Sequence, residues 1–521
     1  MRRIVVCAVL ACAVIPASAS ATGSTSQRAI AVTDRGVLEG RQTATMRQFL
    51  GVPYAAPPVG DLRWKPPREH ARWTGVRDAT SFGAHCAQPA GAFGIASTSE
   101  DCLLLDVYTP ARPHEPPPLR APVMVWIHGG ALVTGESDDY DPSRLVARGV
   151  VVVTINYRLV ALGFLAHGSL AAESASGASG NYGLMDQQAA LRWVRRNIRA
   201  FGGDPDNVTI FGESAGGLSV HSQIVSPLAA GLFGRAIVQS GAYMPTQPSL
   251  ATAEAAGAAF AARTGCADQT AACLRALPVA TVLANQTGNT SPTVDGLVLP
   301  SSIGPALQTG SFNHVSVLEG SNHDEWRLFV ALTELATHVP LSAAGYIPAI
   351  AATLRVSTAA ATAIAARYPL SSFPSPSVAL SAVGTDAIFA CNAQTAVTAL
   401  SQRVTTYQYE FDDAGAPMRF LPPVSFPTGA YHAVEIQYLF DLPLAPIAGP
   451  GLTPAQQELS RAMVRYWTQF ARTGSPNSPL EPFWPRADSS LRFQALAPPA
   501  PAPATGFASE HQCAFWSPPA G

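Results

Sequence analysis

The pentapeptide Gly212-Glu213-Ser214-Ala215-Gly216 limits what this chain can fold into more than any other feature. It follows the apolar run Val208-Thr209-Ile210-Phe211 and precedes a small-residue stretch able to continue as a helix. A serine at the apex of a tight strand-to-helix turn takes up strained backbone angles, and the residues two positions away on either side must be small for strand and helix to approach. Gly212 and Gly216 meet that need. Such an elbow lifts the Ser214 hydroxyl above a sheet and turns the backbone N–H of Ala215 toward negative charge developing on a reacting oxygen. The competing reading is a Gly-rich turn with no chemistry.

Upstream, Val123-Met124-Val125-Trp126-Ile127-His128-Gly129-Gly130-Ala131 runs a buried-type strand into a glycine pair. Glycines let the main chain approach a ligand closely and turn its N–H groups inward, which is the composition of a loop that holds an oxyanion; a plain loop after a strand is the alternative. Short apolar, often β-branched runs at 123–127, 150–155, 208–211, 236–239 and 315–318 read as strands. Leu184, Leu191, Val194 and Ile198 recur at helical spacing, with Arg192, Arg195, Arg196 and Arg199 as the wet face of that helix. The alternation predicts an α/β fold, a mostly parallel sheet with helices on both faces. The proline-rich pieces at 110–118 and 498–503 cannot join a sheet interior and read as surface connections.

A serine hydroxyl is a poor nucleophile near neutral pH until a histidine takes its proton, and that histidine needs a carboxylate to fix its tautomer and balance its charge. Around such an elbow the chain order is serine, acid, histidine. His221 lies too close to Ser214 on the following helix and His128 belongs to the glycine loop. His432, in Gly429-Ala430-Tyr431-His432-Ala433-Val434-Glu435, is a downstream candidate. Asp324 and Glu325 compete for the acid in Ser321-Asn322-His323-Asp324-Glu325-Trp326, directly after the strand at 315–318, where α/β sheets carry functional groups.

The chain resembles the type-B carboxylesterases, the α/β-hydrolases that include cholinesterases and bacterial p-nitrobenzyl esterases. Beyond the elbow and the glycine loop, the resemblance rests on Phe49-Leu50-Gly51-Val52-Pro53-Tyr54-Ala55, Pro57-Pro58-Val59-Gly60-Asp61-Leu62-Arg63-Trp64, Glu100-Asp101-Cys102-Leu103-Leu104-Leu105-Asp106-Val107-Tyr108, Asn156-Tyr157-Arg158-Leu159, Gln239-Ser240-Gly241 and Phe470-Ala471-Arg472-Thr473-Gly474, in order along nearly the whole chain. It implies an α/β-hydrolase fold and a catalytic set of Ser214, Glu325 and His432, with an oxyanion hole from the N–H groups of Gly130, Ala131 and Ala215. Glu213 and Glu435 are then carboxylates behind the reacting groups, and Ser240 is expected to hydrogen-bond the acid. The same resemblance pairs Cys86 with Cys102 and Cys391 with Cys513, leaving Cys266 with Cys273.

Composition agrees with an exported globular enzyme. The 521 residues are 47% hydrophobic and carry a formal charge of −2, which argues against nucleic acid or an anionic membrane as partner. No repeat, charged tract or long linker divides the chain, so one catalytic domain over 22–521 is expected. Arg2 and Arg3, an apolar run from Ile4 to Ile15 and Ala17-Ser18-Ala19-Ser20-Ala21 read as a signal peptide over 1–21; Cys12 after Leu10-Ala11 offers a lipoprotein alternative. No later stretch reaches the roughly 20 apolar residues of a membrane span. Removing the signal takes Cys7 and Cys12 and leaves six cysteines, an even number in an oxidising setting. Zinc is the competitor for them, but no Cys-x-x-Cys or His-x-x-x-His spacing supports it.

The expected reaction is therefore hydrolysis of a small ester through an acyl-enzyme, with no metal or organic cofactor. Ala131 replaces a third glycine, and its methyl is expected to crowd bulky alcohol groups. Only 15 residues lie between Cys86 and Cys102, with no tryptophan for cation–π capture of a choline, and this short loop leaves little material for a lipase flap. Short-acyl or aryl esters are favoured over choline esters; a long-chain lipase, an amidase and a non-catalytic binding protein are the rivals. Oligomeric state is not legible.

Overall fold

The computed structural model describes residues 27–516 except 92, 112–119, 287–289, 489 and 491. The expected signal peptide with Cys7 and Cys12, and most of the first proline-rich piece, lie outside the described residues. Thirteen strands among them form one sheet: β1 (Gln27–Val32), β2 (Val37–Gln42), β3 (Met46–Pro53), β4 (Val76–Asp78), β5 (Leu104–Pro110), β6 (Ala121–Ile127), β7 (Val151–Ile155), β8 (Gly203–Glu213), β9 (Arg235–Gln239), β10 (Ser316–Asn322), β11 (Thr406–Phe411), β12 (Phe493–Leu496) and β13 (Ala502–Ala504). Their spatial order is β1-β2-β3-β5-β7-β6-β8-β9-β10-β11-β12-β13, with β4 beside β2. From β7 to β12 every neighbour is parallel; the edge from β1 to β7 is antiparallel, as is the closing pair β12–β13. Pro503 sits in edge strand β13, where its missing N–H costs no interior hydrogen bond.

Strands β6 and β7 are almost wholly apolar and buried along their length because both of their faces are covered. Along β6, Val123, Val125 and Ile127 join one core layer while Met124 and Trp126 join the other. Five helices matter below: α1 (Tyr182–Asn197), α2 (Ala215–Val225), α3 (Arg327–Thr337), α4 (Cys391–Ser401) and α5 (Pro454–Thr473). The apolar stripe of α1 (Leu184, Leu191, Val194) packs into the first layer with Leu218 and Ile224 of α2. Arg195, Arg196 and Arg199 stay outside and pair with Asp206, Asp34 and Glu69. The second layer takes Leu459, Met463, Trp467 and Phe470 of α5. That helix opens with a capping box between Thr453 and Gln456 and stops at Gly474 in a left-handed conformation, φ 80°.

Among the described residues three disulfides tie segments to this body: Cys86–Cys102, Cys266–Cys273 and Cys391–Cys513. Among the described residues no single helix is long and apolar enough to cross a membrane; the pair Tyr346–Leu354 and Thr358–Ser372 reaches that length only together and is bent by 111°.

Candidate active site

Strand register gathers the site. Ile127 of β6 lies beside Gly212 of β8, Glu213 of β8 beside Gln239 of β9, and Gln239 beside Gly320 of β10. The segments that leave these strands, carrying Gly129–Ala131, Ser214, Ser240 and Asp324–Glu325, therefore emerge together at the carboxyl edge of the parallel sheet.

Ser214 stands between β8 and α2 at φ 56°, ψ −121°, outside the regions a non-glycine residue prefers. Its N–H donates to the Gln239 carbonyl at 2.9 Å, which ties the turn to the neighbouring strand. A methyl at Gly216 would overlap the Ile127 carbonyl, so the close strand–helix crossing needs glycine there. The glycine loop packs against this turn: a Cβ on Gly129 would lie 3.2 Å from the Ser214 Cβ. Gly130 and Ala131 have φ of 91° and 58°. Their N–H groups have no acceptor among the described residues, and the N–H of Ala215, first in its helix, has no intrahelical acceptor.

Glu325 and His432 meet although 107 positions apart. His432 Nδ1 lies 2.5 Å from Glu325 Oε2, and Glu325 Oε1 accepts from the Asn322 N–H at 2.7 Å, with both side chains buried. Asp324 takes a different place. It accepts from the Ala430 N–H at 3.0 Å and pairs with Arg327 and His323, so it anchors the segment that carries His432. Burial pushes the Asp324 carboxyl up, but its hydrogen bond with His323 and the charges of Arg327 and His323 outweigh that and hold it below the usual range.

His432 Nε2 has no hydrogen-bond partner and faces Glu213 Oε1 at 3.2 Å. No hydrogen bond joins it to the Ser214 hydroxyl in this structure; such contacts often tighten only when substrate binds. Burial works against the imidazolium, yet the charges of Glu213, Glu325 and Glu435 prevail and raise His432 to about 9. Glu213 itself is pushed well above the carboxylate range, by burial first and by Glu435 and Glu325 second, with His432 opposing. Glu435 makes no hydrogen bond to His432. It accepts from Gln239 (3.0 Å) and Asn322 (2.8 Å), and Asn322 also donates to the Tyr431 carbonyl at 2.9 Å, so Glu435 braces the scaffold on which Glu325 and His432 meet.

The expected bond from Ser240 to the acid is absent. The Ser240 Oγ has no partner among the described residues. Both Glu325 oxygens are taken, by Asn322 and His432, while Ser240 is held at φ 50° by its N–H bond to the Gly320 carbonyl at 2.8 Å.

Ser214 and His432 line a cavity of about 400 Å³ together with Gly130 and Ala131. Its walls are mainly apolar: Phe93, Leu328, Phe329, Leu332, Phe420 and Leu444. Phe93 comes from the Cys86–Cys102 loop and packs on Phe420 with ring centres 5.1 Å apart, so this loop offers a phenylalanine where a tryptophan would favour a quaternary ammonium. Sequence reasoning missed Asp139, which lines the same cavity and is raised to about 8 by burial and by the charges of Glu136 and Asp138. The one sign of it was an Asp138-Asp139 pair just beyond the glycine loop. His128 is a loop prop: it stacks on Tyr157 at 4.4 Å, and burial lowers it to about 4.

Residues 27–516 match the model of the carboxylesterase family. The chain is similar to cocaine esterase of Homo sapiens, 35% identical over 506 residues that cover 91% of this chain and 87% of that one. It is similar to acylcarnitine hydrolase of Mus musculus, 36% identical over 488 residues covering 87% and 83%. It also matches fumonisin B1 esterase of Sphingopyxis macrogoltabida, 34% identical over 472 residues covering 87% and 84%. With this fold, and with family likeness running from the first strand to the last described helix, the chain belongs to the carboxylesterase family and is a carboxylic ester hydrolase.

Proposed function

We propose that the enzyme is a secreted serine esterase that cleaves short-acyl or aryl esters through an acyl-enzyme on Ser214. The observation that carries this reading is the opening of the Ser214 elbow and the Glu325–His432 pair into one small, apolar cavity beside uncommitted N–H groups. His432 Nε2 takes the seryl proton as Ser214 Oγ attacks the ester carbonyl. The oxyanion accepts from the N–H groups of Gly130, Ala131 and Ala215, donors that can be worth about 10²–10³ in rate each. Collapse expels the alcohol, which takes its proton from His432. Water, deprotonated by the same imidazole, then releases the acid. Glu325 fixes the tautomer that leaves Nε2 free to accept.

The cavity volume and the short Cys86–Cys102 loop support small acyl groups over long-chain glycerides. Secretion, with residues 1–21 removed and 22–521 as the catalytic domain, is supported by three disulfides, which persist in oxidising compartments. Purified enzyme and Ser214→Ala assayed on p-nitrophenyl esters from acetate to palmitate test the proposal. Rates that peak at short chains in the wild type and vanish in the variant are expected; rates that climb toward palmitate, or persist in the variant, overturn it.

A further inference from the structure

A second cavity, of about 860 Å³, shares no lining residue with the one that holds Ser214. It opens between α2, α4, the helix Ile303–Thr309 and the C-terminal segment around Cys513. Met244, Ile303 and Leu307 give it an apolar wall, and Thr246 and Gln402 add hydroxyl and amide groups. No lysine, arginine, aspartate or glutamate lines it among the described residues. One titratable side chain does: His221, on α2.

His221 is built into its place. Its Nε2 lies 2.8 Å from Glu319 Oε2, and both side chains are almost wholly buried, at 1% and 0% exposure. Glu319 Oε1 has no partner, so the imidazole is the one hydrogen-bond partner of this buried carboxylate among the described residues. The other ring nitrogen, Nδ1, has no hydrogen bond among the described residues, although the ring forms part of the cavity wall. A buried imidazole with one nitrogen on a carboxylate and the other toward open space is an incomplete site.

The same chain contains the completed version. His511 Nδ1 lies 2.7 Å from Asp386 and its Nε2 2.6 Å from Glu410, so one buried imidazolium bridges two carboxylates. At His221 one of those carboxylates is present as Glu319 and the second position faces the cavity.

We infer that this cavity binds an amphipathic carboxylate, whose head accepts from His221 Nδ1 as Asp386 accepts from His511, and whose apolar body lies along Met244, Ile303 and Leu307. The His221 ring then stands between two carboxylates, and Thr246 or Gln402 donates to the remaining oxygen of the ligand. The ligand is of the chemical class released by an ester hydrolase, yet its site lies apart from the reacting groups.

The test uses octanoate, octan-1-ol and 8-bromooctanoate with the full-length mature enzyme. In crystals soaked in 8-bromooctanoate, an anomalous bromine peak between Met244, Ile303 and Leu307 is expected. By calorimetry, octanoate should bind at this site at least about tenfold more tightly than octan-1-ol, the difference that a charge-assisted hydrogen bond supplies. The double variant His221→Leu/Glu319→Leu removes the pair as a unit, a replacement buried ion pairs often tolerate, and should lose one octanoate site while keeping its melting temperature. Ala399→Trp, which fills the cavity from α4 and leaves the pair intact, should lose the same site. Absence of bromine from this cavity, equal binding of the alcohol, or an unchanged number of octanoate sites in either folded variant overturns the inference.

Discussion

Replacing Glu213 by glutamine should move the acid limb of the pH–rate profile to lower pH. Glu213 Oε1 is 3.2 Å from His432 Nε2, and both groups are buried. With an effective dielectric of about 20, two unit charges at that separation interact by about 5 kcal/mol, an upper bound of about 4 pKa units. Burial raises the Glu213 carboxyl well above the carboxylate range, which weakens the charge it presents to the imidazolium. The pair shares protons, and the expected shift is about 1–2 units. In the proposed mechanism His432 must be neutral to act as base, so activity should rise with pH through its titration, and a wild-type limb above the ordinary 6.5, toward about 9, is expected. In Glu213→Gln the neutral isostere withdraws support from the imidazolium and lets burial lower it. The assay is kcat/KM for p-nitrophenyl butyrate over the full pH range, with melting temperature measured at each pH to establish that the variant is folded. A limb that stays in place or moves upward refutes the reasoning.

Three further outcomes are expected. Glu325→Gln should lower kcat by about 10³–10⁴ with little change in KM, since the amide stabilises neither the tautomer nor the cation; stopped-flow or steady-state kinetics on a short-chain ester would measure this. Ala131→Gly should relieve the φ of 58° and remove a methyl from the cavity, raising kcat/KM for esters of bulky alcohols several-fold relative to ethyl esters in a competition assay. His511 is raised to about 9 by its bonds to Asp386 and Glu410 against burial, so its stabilisation is complete below the unfolded value near 6.5 and is lost as pH rises through 9. Melting temperature should therefore fall over that interval by the equivalent of about 3 kcal/mol, and His511→Gln should flatten the fall.

The elbow, the glycine loop and the central strands were legible because each is local. Apolar runs at 123–127 and 150–155 became β6 and β7 with boundaries moved by a residue or two, since strands buried on both faces need uninterrupted hydrophobic sequence. The antiparallel edge was not legible: β1 and β2 mix exposed and buried positions and contain Arg28, Glu39 and Arg41, as suits strands with one face in water. The choice between Asp324 and Glu325 could not be made from their neighbouring positions and rested on family likeness. In three dimensions Glu325 reaches His432 while Asp324 turns to Ala430. The cavity wall was invisible for the same reason that specificity diverges in such folds, because Phe93, Asp139, Leu328 and Phe420 come from segments far apart in the chain. His221 was set aside for lying too near Ser214, and its partner Glu319 is 98 positions away on another strand.

The most direct test of the central claim is to react the enzyme with an aryl phosphonate ester and map the adduct by mass spectrometry of the intact protein and its peptides. One phosphonyl group per chain on the peptide containing Ser214, with activity lost in proportion, is the predicted result. An adduct on any other residue, or full inactivation with Ser214 unmodified, would contradict the assignment of Ser214 as the nucleophile.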